Sequence, residues 1–150
     1  MKYIDTIVHK LTAQYQTREP FELCEKMDIL TYFAPLPASI RGFYFSTGGR
    51  QMICVGDELP TRQQKIVCAH ELGHAILHPA LDMVFMKAET QLAVEKYEKE
   101  ADYFCVSLLL NANMVEEARM MEGGFTVEGL SRLSGLPEKA VRLKFYCQNI

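Results

Sequence analysis

Apolar residues recur at helical spacing in the first sixteen positions of the chain, MKYIDTIVHKLTAQYQ. Tyr3, Ile4, Ile7, Val8 and Leu11 share one face, with polar residues between them. This pattern predicts an amphipathic helix and lacks the uninterrupted apolar core of a signal peptide. No later segment approaches the roughly 20 apolar residues of a membrane span. We therefore expect a cytoplasmic protein with no membrane partner.

The apolar pattern changes period after a second short helix, which REPFELCEKMDI predicts to open near Pro20. The next three segments are short, rich in aromatic and β-branched residues, and separated by proline and glycine: ILTYFAPL, IRGFYFS and RQMICVG. These are strand and turn signals. Residues 29–56 are therefore predicted to form a small, mostly antiparallel sheet.

The helical period returns at Pro60 and holds to His78, because Pro79 cannot continue a helix. A second long helix is predicted from about Glu89 to Leu110. We expect it to pack against the helix that ends at His78. Short helices are predicted in a C-terminal subregion, about residues 111–150: one capped by Asn111 or Asn113, and two joined at Gly135-Leu136-Pro137. With no repeat or linker, the chain is predicted to form one α+β domain over residues 1–150.

Composition and charge narrow the class of protein. At 150 residues and 49% apolar content, the chain is long enough to bury a substantial core. A net charge of −3 gives no general attraction to nucleic acid or anionic membranes, so DNA is an unlikely partner. The five cysteines form no CxxC pair, which argues against a disulfide framework or a thiolate zinc site.

The segment KIVCAHELGHAILHP carries an HExxH pattern, His70-Glu71-Leu72-Gly73-His74. Residues four apart lie on one face of a helix, so the two imidazoles can reach a common ion. A catalytic zinc keeps three protein ligands and one water, and lowers the pKa of that water to about 7. Glu71 is rotated about 100° from His70, beside the ion, where it can accept the water's proton. The pattern predicts a Zn²⁺ site that hydrolyses amides, with Glu71 as catalytic base.

The alternative interpretation is an ordinary helix with two incidental histidines. The apolar helical surround argues against it. So does Gly73, because glycine inside a helix costs about 1 kcal/mol relative to alanine, which indicates that another backbone comes close there.

The third zinc ligand must come from elsewhere in the chain. His78 lies about 12 Å along the helix from His70, too far to share one ion, and is expected to meet carbonyls at the helix end. On the next long helix, Glu98 falls about 60° from the centre of the apolar face and Glu100 about 100° from it. Glu98 is therefore the predicted ligand, with Glu100 as the alternative. Asp102, four residues after Glu98, can accept the other N–H of a ligand histidine.

These residues are similar to a known family. KIVCAHELGHAILHP followed by EKEADYFCVSLLL resembles the ImmA/IrrE metallopeptidases of phages, integrative elements and their bacterial hosts, and the resemblance covers roughly residues 20–110. It implies a gluzincin-like (zincin) fold, His70 and His74 as ligands, Glu71 as base and a downstream glutamate as third ligand. It also implies a substrate, a helix-turn-helix repressor whose cleavage releases the genes of a mobile element or stress response. LLLNAN replaces the LLMP common in the family, at a helix end outside the site.

Two other functions compete with a protease. The C-terminal segment has the spacing of a helix-turn-helix around Gly135, followed by Lys139, Arg142 and Lys144, which would suit a DNA-binding regulator. A zinc-binding regulator that acts by contact, without hydrolysis, is the second alternative. Glu71 argues for hydrolysis, because a structural site needs no base and favours four protein ligands.

Two features of substrate handling are also expected. Zincins hold the peptide extended along an edge strand beside the motif helix, and RQMICVG is the predicted strand. The oxyanion of the reaction needs a donor, for which Tyr44, Tyr97 and Tyr103 are the candidates.

Overall fold

Three short strands and seven helices make up the fold within residues 1–80 and 90–146, the part of the chain that this computed structural model describes. The strands are β1 (Leu30–Ala34), β2 (Gly42–Thr47) and β3 (Arg50–Gly56). The helices are α1 (Lys2–Tyr15), α2 (Pro20–Lys26), α3 (Thr61–Leu77), α4 (Gln91–Leu109), α5 (Ala112–Met120), α6 (Val127–Ser134) and α7 (Glu138–Tyr146). The predicted α+β class is confirmed. The predicted start of the second long helix, Glu89, and the fifth cysteine, Cys147, lie outside the described residues.

The sheet has the order β1-β3-β2 and is mixed. β2 pairs antiparallel with β3 through the two-residue turn at Gly48-Gly49, both at positive φ. β3 then runs parallel to β1, from Leu30 opposite Met52 to Ala34 opposite Gly56. The expectation of a mostly antiparallel sheet therefore holds for one pairing and is wrong for the other. The reason is that residues 35–41 carry the chain past the position that β3 later fills.

This strand order also corrects the expected place of RQMICVG. That segment is β3, the central strand, and both of its edges are already paired. Because its main-chain groups bond to β1 and β2, β3 cannot hold an extended peptide. The strand with an edge beside the motif helix is β2, which packs on α3.

Local capping explains where the helices begin. The hydroxyl of Thr90 accepts from the N–H of Ala93 at the start of α4, and Asn111 accepts from Met114 at the start of α5. Side chains of this kind satisfy N–H groups that have no partner within the helix. The predicted cap at Asn111 is confirmed. No helix within the described residues is long and apolar enough to cross a membrane.

The two long helices approach each other most closely at Gly73. A Cβ built on Gly73 would lie 3.2 Å from the Cα and 3.3 Å from the carbonyl oxygen of Ala101, and 3.3 Å from the Cβ of Phe104. Ala101 and Phe104 are themselves fully buried. The close backbone approach expected from Gly73 is confirmed, and it fixes α4 against the histidine-bearing face of α3.

Polar contacts hold the C-terminal half of α4 in place. The guanidinium of Arg18 donates to the carbonyls of Ser107 (2.6 Å) and Leu108 (3.0 Å) near the end of α4. The carboxylate of Asp5, on α1, accepts from the hydroxyls of Tyr103 and Ser107 at 2.8 and 2.9 Å. Asp5 also pairs with a lysine of α7. The N-terminal and C-terminal helices are thereby tied to the helix that carries the acidic residues.

Gly73→Val should lower the free energy of unfolding by about 1–3 kcal/mol, because the added methyl groups overpack a backbone contact that cannot widen locally. Chemical denaturation measures the change. Valine has a higher helix propensity than glycine, so propensity alone predicts no loss in Gly73→Val. Ala13→Val, at an exposed position of α1, shows what a β-branched side chain costs in a helix that lacks this contact. Equal losses in the two variants would contradict a packing role for Gly73.

Candidate metal centre

Three side chains from α3 and α4 converge on one point. The Nε2 atoms of His70 and His74 are 3.2 Å apart. The carboxylate of Glu98 reaches both, with Oε2 3.3 Å from Nε2 of His70 and Oε1 3.4 Å from Nε2 of His74. Within residues 1–80 and 90–146, this trio is the group whose ligand atoms all lie within 4.8 Å of one another. The structure thus brings together the two histidines of the motif and Glu98.

The arrangement fits a bound cation. Two imidazole nitrogens and a carboxylate are electron-rich, and aiming them at one another is unfavourable unless positive charge lies between them. Nitrogen and oxygen ligands at about 2.0–2.2 Å from a tetrahedral zinc lie roughly 3–4 Å from each other, as these atoms do. The Glu98 side chain is 40% exposed, so solvent reaches the site. Three donors with an open side suit a catalytic metal better than a structural one.

Asp102 orients His70 from behind. Its Oδ1 lies 3.1 Å from Nδ1 of His70, which leaves Nε2 facing Glu98 and His74. Burial disfavours the charged imidazolium, but hydrogen bonds to Asp102 and Glu98 outweigh it and raise the pKa of His70 to about 10. Hydrogen bonds from His70 and His74 hold the pKa of Glu98 well below its usual range. Positive charge at this position is therefore strongly favoured, and a metal ion can supply it in place of a proton.

Glu71 lies beside the trio and is half-buried. Burial raises the pKa of Glu71, while the two histidines and a hydrogen bond from the Tyr44 main-chain N–H oppose the rise. The contact with Tyr44 places the middle of β2 against the carboxylate. The raised pKa makes this carboxylate a better proton acceptor than one in water.

Gly42 allows β2 to come this close to α3. A Cβ on Gly42 would lie 2.4 Å from Cγ1 of Val67 and 2.8 Å from the carbonyl oxygen of Cys54. Sequence reasoning overlooked Gly42. The available signal was a glycine inside a segment that otherwise reads as a strand, which often marks a close approach by another part of the chain.

Glu100 and His78 form a separate contact, away from the converging trio. Oε2 of Glu100 lies 3.3 Å from Nε2 of His78, and its Oε1 accepts from the hydroxyl of Tyr3 at 2.8 Å. The His78 ring packs on Tyr97 and also bonds to the main chain of Leu77, the last residue of α3. The expected contact of His78 with the helix end is present. Glu100 is only 13% exposed, although its helical position lies about 100° from the centre of the apolar face.

The three tyrosines proposed as oxyanion donors are in different situations. The Tyr44 hydroxyl donates to the Pro79 carbonyl at 3.0 Å, and the Tyr103 hydroxyl donates to Asp5. Both rings are buried, and both hydroxyls serve the fold. Tyr97 directly precedes Glu98 in the sequence, and its ring packs against His78. It is the one of the three tyrosines that remains a candidate.

Comparison with known proteins places the chain in a family. Residues 24–145 match the model of the IrrE N-terminal-like domain, Peptidase_M78. The chain therefore belongs to this metallopeptidase family, which confirms the resemblance noted from its motifs.

Two curated proteins illustrate the relationship. The chain is 36% identical over 141 residues to uncharacterized immunity region protein 2 of Bacillus phage phi105, covering 94% of this chain and 88% of that protein. It is 32% identical over 76 residues to metallopeptidase ImmA of Bacillus subtilis (strain 168), covering 51% of this chain and 45% of that protein. The second match thus spans less than half of ImmA.

Glu98→Ala should weaken zinc binding by more than the roughly 10- to 100-fold that losing an outer partner of a metal ligand typically costs. Glu100→Ala should change the affinity little, since Glu100 contacts His78 and Tyr3 instead. Competition with a chromogenic chelator measures both values. Glu95→Ala, at an exposed position of the same helix, serves as the matched control. A larger loss in Glu100→Ala than in Glu98→Ala would show that the ligand has been assigned to the wrong glutamate.

Proposed function

We propose that this protein is a cytoplasmic zinc-dependent endopeptidase that cleaves a helix-turn-helix repressor and so relieves repression of a mobile element or stress genes. The observation that carries the proposal is the convergence of His70, His74 and Glu98, with the carboxylate of Glu71 beside them. Membership of a metallopeptidase family supports the same reaction.

Each residue of the site has a distinct role in this proposal. His70, His74 and Glu98 would hold Zn²⁺, and Asp102 would fix the tautomer of His70 by accepting its Nδ1–H. When bound, zinc would supply Lewis acidity, which acidifies a water molecule and polarises the substrate carbonyl. Glu71 accepts the proton of the attacking water and delivers it to the departing amine nitrogen. Burial keeps this carboxylate a stronger base than one in water.

The substrate peptide would lie along the outer edge of β2, which pairs with no strand other than β3 within residues 1–80 and 90–146. In an antiparallel pair, main-chain groups of alternate residues point to opposite sides of the strand. The N–H of Tyr44 bonds to Glu71, so the main-chain groups of Tyr44, Gly42 and Ser46 point away from β3. An extended peptide added at this edge would pass Glu71 and the metal ligands.

The choice of a repressor as substrate rests on relationships. The phage phi105 relative is named an immunity region protein, and this chain aligns with 88% of its length. Resemblance to the ImmA/IrrE family implies the same class of substrate. A neighbouring repressor gene would be the first candidate to test.

The geometry does not favour the DNA-binding alternative. The three basic residues of α7 all have acidic neighbours: Lys139 lies 3.8 Å from Asp102, Arg142 lies 3.4 Å from Glu128, and Lys144 pairs with Asp5. The turn at Gly135 is covered by the guanidinium of an α3 residue, Arg62, which donates to the Ser134 carbonyl at 3.0 Å. Lys139 and Arg142 remain exposed, but Lys144 and the turn at Gly135, which a recognition helix would present to the DNA, are engaged within the fold.

Glu71→Gln separates hydrolysis from regulation by contact. The amide keeps the shape of the side chain but cannot accept a proton, so zinc should remain bound while cleavage falls by about 10³- to 10⁴-fold. The assay incubates either protein with the candidate repressor and follows both its proteolysis and the release of repression. Normal derepression by Glu71→Gln with an intact repressor would mean that the protein acts by binding alone.

Ser46→Pro tests the edge of β2. Proline removes one outward N–H from an edge strand, where it is tolerated, so repressor cleavage should fall at least several-fold while zinc affinity stays unchanged. Ser46→Ala removes the hydroxyl and keeps the N–H, and should cleave normally. Wild-type cleavage by a folded Ser46→Pro variant would place the peptide in another groove.

A further inference from the structure

A groove of about 560 Å³ runs along the edge of the sheet that β1 forms, on the far side of the sheet from β2. β1 forms one wall, and α2 with the turn that follows it forms the other. The lining includes three apolar and three acidic residues: Phe21, Leu30, Phe33, Glu22, Glu25 and Asp28. We call it the β1 groove. It shares no residue with the candidate metal centre.

The strand leaves main-chain groups unpaired along this groove. Ala34 accepts from the N–H of Asp57 at 3.0 Å, which places the main-chain groups of Ala34 on the β3 side. Because these groups alternate along a strand, those of Thr31 and Phe33 point away from β3. In the part of the chain that the structure describes, β1 pairs with β3 alone, and no hydrogen bond uses the outward groups. Such an edge can accept an added strand.

The two faces of β1 have different surroundings. Phe33 lies opposite the fully buried Val55, and its ring packs on Phe21 of α2 with 5.6 Å between the centroids. Phe33 therefore faces the helices. Leu30 and Tyr32, at the alternate positions, point to the opposite face, where they are 48% and 38% exposed. A strand added at this edge would have apolar neighbours on the outer face.

The helix-facing side of the groove is acidic. Glu22, Glu25 and Asp28 are all exposed, and none of them forms a salt bridge within residues 1–80 and 90–146. Lys26, on the same helix, directs its ammonium to the main-chain carbonyl of Tyr15 instead, at 3.2 Å. The groove therefore offers three carboxylates to a partner that carries positive charge.

The same charge disfavours a second copy of this chain as the partner. Two β1 edges related by a two-fold axis would form one continuous sheet, with the helix-facing sides of both copies on the same side of it. The carboxylates of the two copies would then face each other across the joint and repel. A strand with basic side chains would be attracted at the same place.

We infer that the β1 groove binds an extended segment of a partner protein, in which basic and apolar side chains alternate, as a fourth strand of the sheet. Its lysine or arginine side chains would face the three carboxylates, with their aliphatic stems on the rings of Phe21 and Phe33. Its apolar side chains would cover Leu30 and Tyr32 on the outer face. This inference does not rest on the proposed peptidase function, because the groove and the metal centre lie at different places in the fold.

A labelled peptide of about eight residues that alternates valine and lysine is a suitable probe, since at about 3.3 Å per residue it spans β1. The full chain is used as Glu71→Gln, so that the probe is not cleaved, and fluorescence anisotropy measures binding. The probe should bind about tenfold more tightly than a valine–glutamate peptide of the same length, and salt should weaken it. No binding at about 1 mM, or equal affinities of the two peptides, would overturn the inference.

A charge reversal in the wall of the groove locates the binding site. Glu25→Lys should weaken binding of the valine–lysine peptide about tenfold and strengthen binding of the valine–glutamate peptide, because it replaces attraction by repulsion. Glu117→Lys makes the same change in net charge at an exposed position of α5 outside the groove, and should alter both affinities less than about twofold. Equal effects of the two variants would show that the peptide responds to net charge alone, against the assignment to β1.

Methylation of the probe's main chain tests strand addition without altering the protein. Only alternate N–H groups of an added strand point to β1, so N-methylation of one set, the lysines or the valines, should cost about tenfold in affinity while the other set costs little. Loss with methylated lysines would indicate an antiparallel strand, and loss with methylated valines a parallel one. Equal affinities of the two methylated peptides would mean that the probe does not pair with the edge of β1.

Light scattering of the full chain examines the other occupant, a second copy. Thr31→Pro removes one outward N–H from β1, at an edge where proline is tolerated. The unmodified chain and this variant should have the same mass in solution. A dimer that Thr31→Pro converts to a monomer would assign the edge to a second copy and overturn the inference.

Discussion

The contact of α3 with α4 at Gly73 is the constraint on which the rest of the site depends. The Cα of Ala101 would lie only 3.2 Å from a Cβ at Gly73, so the two helices touch backbone to backbone. Glu98 and Asp102 lie on the same side of α4, next to the face that Ala101 presents to α3. The short distance between the helices brings their carboxylates within reach of His70 and His74. Larger side chains at this contact would move the helices toward the upper end of the usual 8–10 Å separation and carry the acids away from the histidines. Glycine at position 73 lowers helix propensity, but it permits the helix contact that brings the acids to the histidines.

Charge is distributed along this contact in a way that suits a metal. Two histidines and three carboxylates, those of Glu71, Glu98 and Asp102, share a region with limited solvent. Without positive charge among them, burial of these carboxylates would be costly. The raised pKa of His70 and the depressed pKa of Glu98 are two expressions of that demand. Glu100 and His78 take part in a neighbouring contact that joins the end of α3 to α1 through Tyr3.

The topology of the sheet decides which strand edge lies beside α3. Because β3 lies in the centre, β2 is the edge strand beside α3 in the part of the chain that the structure describes, and Gly42 lets it pass close to Val67 and Glu71. The same glycine lines a cavity of about 240 Å³ that also includes Pro137 and Ala140 of α7. The edge of β2, the carboxylate of Glu71 and this cavity therefore adjoin one another, although the residues that form them come from separate parts of the chain.

Local sequence determined the helices, their caps and the shared face of His70 and His74, because helical periodicity and capping act over only a few residues. It also favoured Glu98 over Glu100, since helical phase relative to the apolar face is a local property. Tertiary structure alone decided the parallel pairing of β1 with β3, the burial of Glu100 and the engagement of Tyr44 and Tyr103 in other bonds. These depend on contacts between distant segments, such as Tyr3 with Glu100 and Gly42 with Val67. A one-dimensional pattern of polar and apolar residues does not specify which distant surfaces meet, because many pairings bury similar apolar area and only packing in three dimensions distinguishes them.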